Sequence, residues 1–217
     1  MAILLFHELG HILMALYFKW HIEKVKLYPF GALTLFEEHL NKPIKEEMMI
    51  VLAGPIFQLF FYHLFSGLNW NHFKEFHYCL LYFNLLPIIP LDGSKIVMLF
   101  YQYFFSYWRS FYFLFYISIL TLPLLFFQFG FSLVLLLILL TLFMDMVEFF
   151  QTRNFCFRKF LLERILYRFI FSKRKVIHDG NIKKMKRDTK HLFYQKGHFV
   201  SEETYLQKMF DFKGKAW

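Results

Sequence analysis

The sequence predicts an all-α polytopic membrane protein, and its composition and long apolar runs support this fold class. Of the 217 residues, 58% are hydrophobic and 23% are aromatic, with 33 Phe. Soluble domains average roughly 45–50% apolar residues. Several windows approach the roughly 20 apolar residues that a bilayer-spanning helix needs. These features exclude an ordinary soluble domain.

The apolar runs predict five membrane segments, which cover residues 1–18, 48–68, 76–105, 111–127 and 131–147. The third segment contains NLLPIIPLDG at residues 84–93, where two prolines and a glycine must break the helix. Because lipid cannot satisfy non-helical backbone, we expect this break to line a site inside the protein.

Residues 21–43 have a different pattern. HIEKVKLY roughly alternates polar and apolar residues, and ALTLF follows after Pro29, Phe30 and Gly31. This pattern is typical of two short strands joined by a turn. We therefore expect a small β-hairpin at the membrane interface.

The charge divides the chain into a core, residues 1–150, and a basic tail, residues 151–217. The tail carries 17 Lys and Arg against 6 Asp and Glu, whereas the core carries 8 against 10. Basic residues next to membrane segments mark the cytoplasmic side and attract anionic lipid, and we favour this interpretation over nucleic-acid binding. Residues 157–171 predict an interfacial amphipathic helix. Residues 172–217 are too few to predict an independent domain.

The first apolar segment contains His7-Glu8-Leu9-Gly10-His11, an HExxH motif. On a helix, positions i and i+4 lie about 40° apart around the axis, so both imidazoles can face one metal ion. Glu8 then lies beside the ion, where it can accept a proton from an activated water and pass it to a leaving amine. Chance would produce the motif roughly 0.02 times in a chain of this composition.

Asp92, in the helix break, is the candidate third ligand. A catalytic zinc takes three protein ligands and keeps an open position. An N-cap role for Asp92 at the resuming helix is the alternative. Two imidazoles and a carboxylate favour zinc, although iron and cobalt are also compatible.

HELGH on an apolar helix, AGP at residues 53–55 and NLLPIIPLDG together resemble the site-2 protease family of intramembrane zinc metalloproteases. LYPFGALTLFEEHLNKPIKEE and FLLER, residues 160–164, are similar to the family's sporulation proteases. The resemblance spans roughly residues 1–165 and implies a site-2 protease-like transmembrane core. It implies zinc ligands at His7, His11 and Asp92 and a catalytic base at Glu8.

The same resemblance implies further roles. Asn84 would bind substrate, although capping of the broken helix is an alternative role for it. The hairpin would pair with an extended substrate. The substrate would be a membrane-associated precursor of a sporulation sigma factor, and inhibitory membrane partners are implied as well. The short tail resembles part of a CBS-like regulatory segment.

Two alternatives stay open. One is a non-catalytic membrane scaffold, which has no need of Glu8. The other is an inactive pseudoprotease without the family's first transmembrane helix, because only six residues precede His7.

Overall fold

The structure is a computed structural model that describes residues 2–28, 31–36, 39–65, 67, 73–129, 132–171, 173–195 and 197–211. For residues 2, 22–28, 31–36, 127–129 and 211, only the backbone is described. The helices are α1 (Ala2–Tyr17), α2 (Ile44–Phe65), α3 (Phe73–Asn84), α4 (Asp92–Phe104), α5 (Tyr107–Phe129), α6 (Leu133–Leu166) and α7 (Glu202–Asp211). The strands are β1 (Ile22–Tyr28), β2 (Gly31–Phe36), β3 (Lys173–Ile177), β4 (Thr189–Gln195) and β5 (His198–Ser201).

Within the described residues, three helices are long and apolar enough to cross a membrane, fewer than the five predicted segments. They are Ile44–Phe65, Tyr107–Phe126 and Leu133–Leu166. The first apolar segment forms the 16-residue α1. The break at residues 85–91 divides the third segment into α3, with 12 residues, and α4, with 13 residues.

The interior of the helical core is apolar. Ile3 of α1, Phe61 of α2 and Leu80 of α3 form one buried cluster. Ile88 and Leu91 of the break form another with residues of α5 and α6. The broken segment is therefore covered by protein on more than one side, as burial of its irregular backbone requires.

Both predicted strands of the hairpin are present. β1 and β2 pair antiparallel, with Tyr28 opposite Gly31 and Val25 opposite Thr34. The hairpin connects α1 to α2, and β2 lies against α1.

The tail folds against the helical core, which corrects one sequence-based expectation. Residues 157–166 form the end of α6 rather than a separate interfacial helix. Their apolar side chains pack in one buried cluster with the tail and the start of α5. The cluster contains Tyr107, Phe111, Phe157, Phe160, Leu161, Ile177, Met185, Phe193 and Leu206. The sequence pattern of an interfacial helix arises here because these apolar residues face a protein surface instead of lipid.

The tail itself is a three-stranded sheet in the order β3-β4-β5, with α7 packed on it. β3 and β4 are parallel, and β4 and β5 are antiparallel. Residues 173–211 are folded because they share their apolar core with α5 and α6, rather than enclosing a core of their own.

Arg164, on α6, joins the tail to the core. Its side chain is 1% exposed and lies 2.8 Å from Oε1 of Glu202. The guanidinium also donates to the carbonyl of Thr189 at 2.9 Å and to Oδ1 of Asn41 at 2.7 Å. Five donors in one plane allow a single arginine to bind α7, β4 and the loop before α2 at once.

A second junction lies at the start of α2. The Asp188 carboxylate accepts from the Ile44 N–H at 3.2 Å, and NH2 of Arg187 lies 2.5 Å from Oε2 of Glu47. The first N–H groups of a helix have no partner within the helix. The tail therefore supplies an acceptor that α2 would otherwise lack.

Candidate metal centre

His7, His11 and Asp92 converge at one point inside the helical core. Oδ2 of Asp92 lies 2.9 Å from Nε2 of His7 and 3.0 Å from Nε2 of His11. The two Nε2 atoms lie 3.2 Å apart. The three residues are 1%, 6% and 8% exposed. The structure thus brings together all three predicted ligands.

The hydrogen bonds on the far side of each imidazole determine its tautomer. Nδ1–H of His11 donates to the carbonyl of Ile50 at 2.8 Å, because a carbonyl can only accept. Nδ1–H of His7 donates to Oε1 of Gln58 at 2.9 Å. The Gln58 amide is oriented by its own Nε2, which donates to the carbonyl of His77 at 3.0 Å. Both Nε2 atoms therefore present lone pairs to the Asp92 carboxylate.

This donor set fits zinc. Three acceptor atoms without a proton repel one another at these distances, and a cation between them removes the repulsion. Ligands at the usual zinc distances in a tetrahedral site are about 3.3 Å apart, close to the observed 2.9, 3.0 and 3.2 Å. The outer hydrogen bonds of His7 and His11 are those that orient metal-binding histidines.

Asp92 does not act as the N-cap of α4. Leu91 occupies that position and makes no side-chain capping bond, and Asp92 is the first helical residue. Its Oδ2 faces the histidines, while Oδ1 lies 3.7 Å from Nζ of Lys95. The next residue, Gly93, allows the break to fold back, since a Cβ there would lie 2.1 Å from the carbonyl oxygen of Leu85.

Two further glycines bring α1 and α2 together. A Cβ at Gly54 would lie 2.2 Å from Nε2 of His11. A Cβ at Gly10 would lie 2.5 Å from the carbonyl oxygen of Ala53. The close approach that the AGP sequence permits is therefore used by the His11 imidazole.

Glu8 and Asn84, the other predicted site residues, lie next to these three. Glu8 follows His7 on α1 and is half-buried. Asn84 ends α3, and its Nδ2 lies 3.4 Å from Nε2 of His7. An amide donor thus borders the site, and an acid adjoins one of its candidate ligands along α1.

A cavity of about 290 Å³ lies on the tail side of the site. Lys95 and Ile50 line it near the metal ligands, and Glu47 and Arg187 line it near the tail. Lys95 connects the cavity to the site, because its Nζ lies 3.7 Å from Oδ1 of Asp92.

The sequence interpretation missed Gln58 and the carbonyl of Ile50. Gln58 is fully buried in α2 and is one helical turn beyond Gly54. Its position four residues after Gly54, in an otherwise apolar window, could have indicated a role at the site. A lone buried amide needs a polar partner. No sequence signal identifies a particular backbone carbonyl as a partner.

Comparison with known proteins agrees with this geometry. The model of peptidase family M50 matches residues 1–73, which contain His7, Glu8 and His11. Stage IV sporulation protein FB of Bacillus subtilis is 40% identical over 108 residues, or 46% of this chain and 38% of that protein. The first third of the chain is therefore similar to peptidase family M50.

Other M50-like proteins match a similar portion. A zinc metalloprotease of Methanocaldococcus jannaschii is 30% identical over 103 residues, which cover 42% of this chain and 30% of that protein. A putative zinc metalloprotease of Synechocystis is 31% identical over 116 residues, which cover 44% of this chain and 30% of that protein. The matches thus span between 30% and 38% of the length of these curated relatives.

A solved structure shares the fold of this chain. The site-2 protease from Methanocaldococcus jannaschii superposes with a TM-score of 0.53 and 24% sequence identity. The match covers 68% of this chain and 73% of that chain. The predicted site-2 protease-like membrane fold is therefore confirmed, and together with the three long apolar helices it makes the chain an integral membrane protein.

Proposed function

We propose that this chain is an intramembrane zinc metalloprotease that hydrolyses a peptide bond in a membrane-associated protein. The observation that carries the proposal is the convergence of His7, His11 and Asp92 beside Glu8. Zinc supplies Lewis-acid chemistry when bound, which polarises a carbonyl and acidifies water. The M50 match supports proteolysis as the reaction.

Each residue has a separate task in this proposal. His7, His11 and Asp92 hold zinc, and Gln58 and Ile50 hold the two imidazoles in the ligand tautomer. Glu8 accepts a proton from the attacking water and delivers it to the amine that leaves when the C–N bond breaks. Nδ2 of Asn84 donates to substrate, where negative charge develops on the carbonyl oxygen. The cavity between Lys95 and Arg187 supplies water.

We further propose that the substrate is a membrane-associated precursor of a sporulation sigma factor. The name of the Bacillus subtilis relative, a stage IV sporulation protein, supports a role in sporulation. The β1–β2 hairpin is a suitable element to pair with an extended substrate segment. We assign the basic tail to the cytoplasmic side, since 17 of the 25 Lys and Arg lie in residues 151–217.

Co-expression with a membrane-tethered sigma-factor precursor tests the proposal. The parent chain and Glu203→Gln, a change at an exposed tail carboxylate, should both cleave the precursor. Glu8→Gln should keep bound zinc and lose cleavage, because it retains the ligands and removes the base. Equal cleavage by the parent and Glu8→Gln would contradict the mechanism.

A second substrate separates the activity from the substrate assignment. The parent would be tested on an unrelated membrane-tethered protein with an unfolded segment at the membrane surface. Cleavage of this protein without cleavage of the precursor would overturn the substrate assignment alone. A zinc-loaded parent that cleaves neither would overturn the proposed activity.

A further inference from the structure

Four lysines of the tail lie at the turn between α4 and α5. Nζ of Lys173 lies 4.6 Å from the centre of the Tyr103 ring, and Nζ of Lys186 donates to the carbonyl of Phe104. Nζ of Lys183 lies 4.7 Å from the centre of the Trp108 ring. Lys175 belongs to the same group, because Lys173, Lys175 and Ile177 share one face of β3.

This face of β3 is directed toward the helical core. Ile177 is 3% exposed and packs in one cluster with Tyr107 and Phe111 of α5. Lys173 and Lys175 therefore extend from the same side of β3 as Ile177, but nearer the beginning of the strand. The ammonium groups lie close together, since burial lowers the pKa of Lys186 and the charges of Lys175 and Lys173 lower it further.

The turn itself lies where a membrane surface is expected. α4 ends at Phe104 and α5, a candidate spanning helix, begins at Tyr107. Tyr103, Phe104 and Phe105 are 46%, 50% and 46% exposed. Exposed aromatic side chains at the end of a spanning helix are typical of the headgroup layer of a bilayer.

Protein carboxylates compensate this charge only in part, since the charge of Lys173 acts on the Asp188 carboxylate from beyond ion-pair distance. Within the described part of the chain, no ion pair joins an Asp or Glu to Lys173, Lys175, Lys183 or Lys186. Other tail lysines differ: Lys184 pairs with Asp179 at 2.5 Å, and Lys190 pairs with Glu203 at 3.4 Å. Clustered lysines at a headgroup layer attract anionic lipid.

We propose that Lys173, Lys175, Lys183 and Lys186 bind the headgroup of an anionic phospholipid beside the aromatic turn at residues 103–108. The lipid phosphate neutralises the ammonium groups, while Tyr103, Phe104 and Phe105 contact the glycerol and upper acyl region. The bound lipid joins the tail to the membrane surface. This inference does not depend on the proposed proteolytic function.

Lipid selectivity of the full chain in phosphatidylcholine vesicles tests the proposal. Electron paramagnetic resonance would measure the fraction of spin-labelled phosphatidylglycerol that the protein immobilises, relative to spin-labelled phosphatidylcholine. The variant Lys173→Gln/Lys175→Gln/Lys186→Gln should lower this selectivity at least about fivefold, the change that one engaged lysine contributes. High salt should lower the parent's selectivity in the same direction.

The matched control is Lys184→Gln/Lys190→Gln/Lys208→Gln, which removes the same charge from other faces of the tail. It should retain most of the parent's selectivity, and both triple variants should keep the parent's thermal unfolding midpoint. Equal losses of lipid selectivity in the two triple variants would overturn the proposed site. The selectivity would then come from the net charge of the tail alone. Glycerol 3-phosphate, at constant ionic strength, should not compete. Displacement of the lipid by this soluble anion would overturn the lipid assignment.

Discussion

His7 and Asp92 are 85 positions apart in the chain, yet Nε2 of His7 lies 2.9 Å from Oδ2 of Asp92. α1 carries the histidine, and the break between α3 and α4 carries the aspartate to the same depth. Neither side chain could be buried alone at low free-energy cost. Their contact explains why an otherwise apolar α1 carries an ionisable motif.

Gln58 should control the zinc affinity of the site. Gln58→Leu removes the acceptor for Nδ1–H of His7, so the imidazole loses its fixed tautomer and orientation. We expect zinc to bind about 10–100-fold more weakly, as for other outer ligands of metal-binding histidines. Competition with a chromogenic chelator would measure the change. Gln102→Leu is the control, since Gln102 is also buried but donates to Ser110. A parent-like affinity in Gln58→Leu would contradict the assigned role.

Gly54 should be essential for the position of His11. Gly54→Ala adds a methyl group 2.2 Å from Nε2 of His11, so the imidazole or α2 must move. We expect loss of bound zinc in the purified protein, measured by metal analysis. Gly67→Ala is the control, because a Cβ at Gly67 meets nothing within 4 Å. If Gly54→Ala binds zinc as the parent does, the close contact between α2 and the His11 imidazole does not require a glycine at position 54.

Asn84 should affect turnover more than metal binding. Asn84→Ala removes a donor close to the site but none of the three ligands. We expect kcat to fall about 10²–10³-fold, the usual loss of one oxyanion donor, with zinc content unchanged. Turnover of a membrane-tethered substrate and metal analysis on the same preparation would test this. An increase in KM alone would show that Asn84 binds substrate without stabilising developing charge.

The tail should lose stability as the pH falls below about 6.5. Burial lowers the pKa of the His191 imidazole, and the Arg164 guanidinium lowers it further. Nε2 of His191 accepts from the Lys186 N–H at 3.1 Å, which requires the neutral ring. The unfolded tail thus binds a proton that the folded tail does not, and stability falls by about 1.4 kcal/mol per pH unit until the folded pKa is reached.

Glu202 also makes the tail less stable as the pH falls, but at lower pH than His191. Burial alone would raise its pKa, but the hydrogen bond from His191 and the charge of Arg164 outweigh burial and lower it. Its stabilising contribution is present above the unfolded pKa and is lost as the pH falls toward the folded value. Hydrogen exchange of the β4 amides between pH 8 and 3, corrected for intrinsic rates, would measure both effects. His191→Gln should flatten the upper part of this profile, whereas His178→Gln, at an exposed histidine, should leave it unchanged.

Removal of Arg164 should separate the tail from the core. Arg164→Met leaves the buried Glu202 carboxylate without its partner at 2.8 Å, which typically costs about 3–5 kcal/mol. We expect faster hydrogen exchange in β4 and α7 than in α2. Arg168→Met, at an exposed arginine, is the control. Unchanged hydrogen exchange in the tail of Arg164→Met would contradict the claim that Arg164 joins the tail to the core.

The sequence was sufficient to predict that His7, His11 and Asp92 meet, because the pattern of these residue types is local and rare. HELGH places two imidazoles one turn apart, and Asp92 follows a helix break that lipid alone could not tolerate. Gln58 was missed because a single amide in an apolar helix does not identify its partner. The end of α6 was misinterpreted because apolar residues such as Phe157 and Phe160 give the same pattern whether they face lipid or a folded tail. Arg164 was missed because its partners come from distant segments.

X-ray absorption spectroscopy at the zinc edge, on the purified full chain, tests the central claim most directly. The account predicts one zinc per chain, with two imidazole nitrogens and a carboxylate oxygen at about 2.0–2.2 Å. The imidazole signal should fall by half in each of His7→Ala and His11→Ala, or disappear together with the bound zinc. A sulfur ligand at about 2.3 Å, or a parent-like spectrum from His7→Ala, would contradict the claim that His7, His11 and Asp92 hold the metal.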